Sequence, residues 1–127
     1  MEITINAGDT PKFAAQIKNT LSNDWLAAED VASITYTVYK VTTTFGGRSL
    51  TAVSGHSNIS VPLTAVLEQP VTSDYWTLDT TGYNFLHCPD STSVPAFGDP
   101  DTAYRIVYRF VMTAGNPFVL AFDVYTS

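Results

Sequence analysis

Three consecutive pieces decide the fold: Tyr104-Arg105-Ile106-Val107-Tyr108-Arg109-Phe110-Val111-Met112, then Thr113-Ala114-Gly115-Asn116-Pro117, then Phe118-Val119-Leu120-Ala121-Phe122-Asp123-Val124-Tyr125. Two apolar runs flank five turn-forming residues, which is the pattern of a β-hairpin. In the first run Tyr104, Ile106, Tyr108, Phe110 and Met112 fall on one face, and Arg105 and Arg109 on the other. The second run repeats the period with Phe118, Leu120, Phe122 and Val124. Burying such side chains gains roughly 1.5 to 3 kcal/mol each, so the hairpin is stable only inside a larger packed domain. Arg105 and Arg109, two of only six basic residues, are expected to pair with the chain's own carboxylates or with an acidic partner.

Outward from the hairpin, the chain keeps a β composition. It has 127 residues, suited to one domain spanning 1–127, and charged residues are only 14% of it, below the level of an average soluble protein. The net charge of −6 and the absence of any Lys/Arg cluster argue against a nucleic-acid partner. Residues 1–10 lack the basic start and apolar core of a secretory signal, and no apolar run reaches the roughly 20 residues needed to cross a bilayer. A soluble chain made in the cytoplasm, without membrane contact, is the expectation. Cys88 is the only cysteine, so packing and not a disulfide must hold the fold.

In order along the chain, Met1–Ile5 reads as a short strand ending in the turn cluster Gly8-Asp9-Thr10-Pro11. Lys12–Lys18 alternates as a half-buried strand, with Phe13, Ala15 and Ile17 inward. Residues 25–32 are the only segment of helix-forming composition and allow at most one short helix. Ser33–Val41 predicts a central strand with Ile34, Tyr36 and Val38 facing the core. Thr42–Gly47 is a loop with Gly46-Gly47 at its tip. Leu50–Val53 and Ile59–Leu63 predict short strands around the turn at 54–58, with Pro62 confining the second to an edge. Thr64–Gln69 reads as a helical or irregular crossing. Asp74–Leu86 is a second aromatic stretch, Trp76 and Tyr83 included, re-aimed at Gly82. His87–Asp101 holds three prolines and one glycine and reads as a long surface loop pinned by Val94 and Phe97.

Seven to nine short strands with regularly spaced turns predict an all-β fold, an antiparallel β-sandwich of immunoglobulin-like type. A jelly roll or small barrel uses the same alternation with other connections.

Residues with reactive side chains do not assemble into a recognisable site. His87-Cys88 is the only adjacent pair of good metal ligands, and with His56 the only other histidine the set falls short of a zinc site. As a Cys-His catalytic pair it fails too, because strand neighbours point to opposite faces. His56 lies beside Ser54 and Ser57 without the Gly-x-Ser-x-Gly elbow of a hydrolase. Asp74 with Asp79, and Asp99 with Asp101, lack the glycine-punctuated loop of a calcium motif. Asn58-Ile59-Ser60 matches the glycosylation pattern but has no signal peptide to give it context. No metal, cofactor or catalytic residue is therefore expected. Trp25, Phe45 and Phe97 are large apolar residues in segments read as loops. Each either plugs the core beneath its loop or contacts a partner, and the second option makes them the candidate contact residues.

Three blocks carry a resemblance: residues 28–39 (Ala28-Glu29-Asp30-Val31 through Tyr39), residues 76–87 (Trp76-Thr77-Leu78-Asp79-Thr80-Thr81-Gly82-Tyr83-Asn84-Phe85-Leu86-His87) and residues 104–110 (Tyr104 to Phe110). In order and spacing they resemble a family of small proteins encoded in tailed phages and prophage-like islands. The middle block is the most specific of the three. More loosely, Gly8-Asp9-Thr10-Pro11 resembles the start of immunoglobulin-like modules in phage baseplate proteins. The long Pro89–Pro100 loop departs from the pattern. The resemblance implies a non-enzymatic structural role in a virion, as a capsid accessory, neck or tail component. Its implied partners are other virion proteins or copies of itself, in a multi-copy assembly. The alternative reading is an adhesion module that binds carbohydrate, with Trp25, Tyr39 or Phe97 stacking on sugar rings.

Overall fold

The computed structural model describes residues 2–9, 11–19, 24–71, 82–89 and 95–127. Among these are nine strands: β1 (Glu2–Ile5), β2 (Phe13–Ala15), β3 (Val31–Thr44), β4 (Gly47–Ala52), β5 (Ile59–Ser60), β6 (Val66–Val71), β7 (Tyr83–His87), β8 (Ala103–Met112) and β9 (Phe118–Thr126). The helical content expected near residues 25–32 is one 3-10 turn, Ala28–Asp30, where the Asp30 carboxylate accepts the Ala27 N–H at 3.0 Å. β3 then begins at once, with Ile34, Tyr36 and Val38 buried as their alternation requires.

The strands form two sheets. One runs β1-β9-β8-β3-β4, with β5 also on β3; the other runs β2-β7-β6. The second, three-stranded sheet therefore holds the B, E and D positions of an immunoglobulin-like sandwich, while β3, β8 and β9 hold C, F and G, with β4 added beside C. A further mark of that fold is present: Tyr104, at the start of β8, turns its hydroxyl back to accept the Asp99 N–H at 2.9 Å. The pairing is antiparallel throughout except at one edge, where β1 runs parallel to the last part of β9, Glu2 opposite Asp123 through Ile5 opposite Thr126.

Several boundaries differ from the sequence expectation. The segment 50–63 does not fold back on itself as a pair of strands. β4 and β5 both pair with β3, at Tyr39–Thr44 and at Thr35–Tyr36 respectively, because a strand 14 residues long has room for two partners on one side. The crossing expected at 64–69 is a 3-10 turn, Leu63–Ala65, followed by a strand, β6, that runs through Pro70. A strand containing proline is tolerated here because β6 lies at the edge of its sheet. β2 is shorter than Lys12–Lys18, and its continuation instead makes an isolated bridge between Lys18 and Trp25.

The two sheets meet over aromatic side chains. Tyr108 lies within 6.2 Å, ring centre to ring centre, of Phe13, Tyr36, Phe85, His87 and Phe122. Phe110 adds contacts to Phe85 at 5.4 Å and to Phe118 at 4.7 Å, the latter pair nearly parallel. Such ring pairs are worth about 0.5 to 1.5 kcal/mol each beyond area burial. Cys88 is exposed and forms no disulfide, so this interlock takes the place of a disulfide between sheets. Trp76, of the second aromatic stretch, lies outside the described residues, as does Val94.

One buried polar side chain fixes the path after β2. Asn84 is fully buried, accepts the Ile17 N–H at 2.7 Å through Oδ1, and donates through Nδ2 to the carbonyls of Ile17 at 2.7 Å and Leu26 at 3.2 Å. It thereby ties both ends of the 17–26 segment to β7. Removing it leaves the Ile17 N–H and the Leu26 carbonyl without this partner, while the Ile17 carbonyl keeps the Leu26 N–H at 3.1 Å, and each buried orphan costs about 1 to 3 kcal/mol. Asn84→Ala is thus expected to destabilise the fold by about 3 kcal/mol or more, read as a lower urea midpoint. An unchanged midpoint would show that water or a local shift replaces the amide.

Candidate functional site

Four polar aromatic residues meet at the interface between the sheets. Register sets Tyr36 of β3 directly opposite Tyr108 of β8. The Tyr36 hydroxyl shares a 2.8 Å hydrogen bond with Nδ1 of His56, and the Tyr108 hydroxyl shares one of 2.8 Å with Nδ1 of His87. The Tyr36 ring also lies 5.3 Å from that of His87. Both histidines of the chain therefore serve to satisfy buried phenols.

The electrostatics agree with that role. Burial lowers the His87 pKa to about 4, so the ring is neutral at physiological pH. Burial, followed by the neighbouring Tyr36 and Cys88, pushes the Tyr108 phenol far above its ordinary value. A neutral imidazole and a phenol that holds its proton make a structural hydrogen bond, not an acid–base pair poised for catalysis. His56 is buried against Tyr36, while Ser54 and Ser57 are exposed, so the hydrolase-like trio is not brought together. Cys88 is exposed just beyond the end of β7, while the His87 ring is half-buried and bonded to Tyr108.

The remaining candidates are also taken up locally. Asp99 pairs with Lys40 at 2.8 Å, and that hydrogen bond with its charge raises the Lys40 pKa. Asp101 sits on an exposed turn with a positive φ of 49°. Asp74 and Asp79 lie outside the described residues. Among the described residues no three His, Cys, Asp or Glu side chains converge as a metal site. Asn58 is exposed with φ 53°, and its N–H donates to the Thr37 hydroxyl at 3.0 Å. Of the two hairpin arginines, Arg105 pairs with Asp123 directly across the β8–β9 ladder at 2.9 Å, while Arg109 is exposed.

The three aromatic candidates separate. Phe97 is fully buried, with its ring 6.0 Å from Phe13 and 5.4 Å from Tyr104, which corrects its reading as a contact residue: it is the plug that holds the 95–101 loop to the core. Trp25 is half-buried, and the Lys18 ammonium lies over its ring at 5.3 Å, so one ring face is already covered by a cation. Phe45 is the exposed one. It occupies the two-residue turn between β3 and β4, its side chain wholly in solvent. Gly47 follows with φ +126°, a conformation closed to other side chains, which lets the hairpin turn so tightly that Phe45 has nothing to fold back onto.

Sequence reasoning missed an apolar cleft at the far end of the same sheet. It has a volume of about 490 Å³ and lies between the strand-like 16–19 segment and the β8–β9 turn, with Ile17, Met112, Ala114, Phe118 and Leu120 in its wall. The only sequence signal for it was the turn Thr113-Ala114-Gly115-Asn116-Pro117, whose small residues leave space where larger ones would close the mouth.

No helix among the described residues is long and apolar enough to cross a membrane. No family model, curated protein or solved structure matches the chain.

His87 makes a testable contribution to pH dependence. Between about pH 6.5 and about pH 4 the unfolded chain takes up a proton at His87 that the folded chain refuses, so stability falls as pH drops through that window. The His87→Gln variant can still bond Tyr108 but cannot titrate. Its melting temperature is expected to fall less steeply than that of the unaltered protein over the same range. Parallel curves would place the acid sensitivity in the carboxylates instead.

Proposed function

We propose that this chain is a non-enzymatic structural protein that works by protein–protein contact, as a component of a tailed-phage virion. One observation carries the contact reading. Its large apolar side chains are not all inside: Phe45, Leu50, Ile59, Val111 and Val119 are exposed on the larger sheet and its hairpin tip. The histidines and the interior asparagine are meanwhile committed to hydrogen bonds within the sandwich. Polar chemistry turned inward and apolar surface turned outward suit a protein that binds other proteins.

The phage assignment rests on the three sequence blocks at 28–39, 76–87 and 104–110, and takes the form of a capsid accessory, neck or tail component present in many copies. Repetition lets each contact be weak, since linked contacts raise avidity without new chemistry. The carbohydrate alternative loses support at its main platform, because the Trp25 ring carries Lys18.

Mass spectrometry of purified particles tests the assignment. The chain is expected at a fixed ratio to the major capsid protein. Its absence from intact particles in cells that produce it would overturn the virion role. Phe45→Ser is expected to lower incorporation while leaving stability within about 0.5 kcal/mol, as for other surface changes.

A further inference from the structure

The larger sheet ends at β4, and among the described residues no strand pairs with the far side of β4. Hydrogen bonds further along β3 show which backbone groups point there. The Val53 N–H donates to the Val38 carbonyl at 2.8 Å, and the Val61 N–H to the Ile34 carbonyl at 2.9 Å. Successive residues of a strand turn their backbone groups to alternate sides, so the even-numbered residues of β3 bond toward β4 and β5. Their partners in β4 are Gly47, Ser49 and Thr51. Arg48, Leu50 and Ala52 therefore turn their N–H and C=O groups outward. All six residues of β4 are exposed. β8 stops opposite Val41, whereas the β3–β4 pairing runs on to Thr44 and Gly47, so the hairpin projects by about 10 Å and its edge stands clear.

The other described edges carry the usual defences against pairing with another chain, which are short length and proline. β1, β2 and β5 are four, three and two residues long, and β6 contains Pro70. β4 has neither defence, and its sequence Gly47-Arg48-Ser49-Leu50-Thr51-Ala52 holds a single charge. We propose that β4 pairs antiparallel with β4 of a second copy of this chain, about a two-fold axis at Leu50, to give a dimer with one continuous sheet. The inference deepens the assembly reading above and rests on it. Three features favour a second copy as the occupant. First, outward-facing residues exchange hydrogen bonds with outward-facing residues. The two-fold register sets Leu50 against Leu50 and Arg48 against Ala52, so all three on each copy are satisfied, by about six bonds in total. Second, Leu50 is 49% exposed, and across the axis it meets its own copy on the same face of the sheet, which takes apolar area out of water. Third, the two copies of Arg48 stand about 14 Å apart, each beside an alanine, so the pairing brings no like charges together. Among the described strands no other edge is as long and as unguarded, which leaves β4 itself as the strand a copy contributes.

Each copy uses the same strand, so the contact is isologous, and it consumes the edge of both copies. Two six-residue strands bury less than the roughly 1,200 Å² of a stable interface, so the dimer is weak and forms at high local concentration. Antiparallel pairing sends the two hairpin tips to opposite ends, which leaves both Phe45 side chains for other contacts.

Sedimentation velocity over a wide range of protein concentration tests the dimer, and amide hydrogen exchange read residue by residue tests its edge. The unaltered protein is expected to pass from monomer to dimer as concentration rises. In the dimer the amides of Arg48, Leu50 and Ala52 are expected to exchange about tenfold more slowly than in the monomer. Leu50→Pro removes an outward N–H and spares the ladder to β3, while Leu50→Lys sets two like charges at the axis. Each is expected to weaken dimerisation about tenfold or abolish it. Unchanged melting temperatures would show that both variants fold, and if Leu50→Pro melts early, Leu50→Lys carries the test. Association that a folded variant leaves unchanged, or a dimer whose slowed amides lie elsewhere, would overturn the proposal. So would an unaltered protein that stays monomeric at every concentration. In that last case, finding the chain in purified particles would leave the virion role standing with a different partner, and its absence there would remove both.

Discussion

The hydroxyl of Tyr108 sits where the two sheets press together, and burying it obliges the fold to supply a partner. A phenol brings a large apolar ring into the core but leaves a polar tip that costs free energy unless bonded. His87 is the partner, and it reaches Tyr108 only because β7 crosses β8 at that point. The same geometry places Phe85 edge-on against the Tyr108 ring at 5.0 Å and Phe13 at 6.2 Å, each from the smaller sheet. Sheet-to-sheet register is thus specified by one hydrogen bond and several ring contacts together. A slip of one residue in β8 would turn Tyr108 to solvent and Arg109 into the core.

This arrangement accounts for the division of labour between interior and surface. In many sandwiches a disulfide joins the sheets, but here the single cysteine lies outside. Aromatic area and a few fully bonded polar groups do that work, and among the described residues no buried side-chain nitrogen or oxygen lacks a partner. Every histidine and the interior asparagine are spent on the fold. The described surface meanwhile presents a protruding hairpin, exposed Val and Leu side chains, and an open cleft.

Local pattern carried much of the architecture. The terminal hairpin read as Tyr104–Met112 and Phe118–Tyr125 is found at Ala103–Met112 and Phe118–Thr126, and the central strand read as Ser33–Val41 spans Val31–Thr44. Both are long runs of strict alternation with glycine-marked turns, where period and turn chemistry agree. Legibility failed where tertiary context decides. Thr64–Gln69 read as a crossing, yet a strand runs from Val66 through Pro70, which a sheet edge tolerates. Phe97, in a loop of prolines and glycine, read as either a core plug or a partner contact, and only the three-dimensional path decides for the plug. Tyr36, Tyr108, His56 and His87 are scattered in sequence, so their meeting depends on strand register and could not be read from spacing. The cleft is harder still, since space is the absence of side chains and leaves almost no mark in a sequence.

The parallel edge formed by β1 and β9 bears on how the chain reaches this state. Synthesis reaches β9, the strand with which β1 pairs, only after every other described strand has been made. Until then Ile3 and Ile5, which pack against the core, have no sheet to join. Loop closure over nearly the whole chain must precede that contact, which places it late on the folding route. Closure also clips both ends together, with the Ser127 N–H donating to Ile5 and the Ala7 N–H to Ser127. A nascent chain therefore carries an unsealed sheet edge until β9 is available to pair. The last strand in sequence thus acts as the seal of the sheet, and a sandwich lacking β9 would leave both β1 and β8 as open edges.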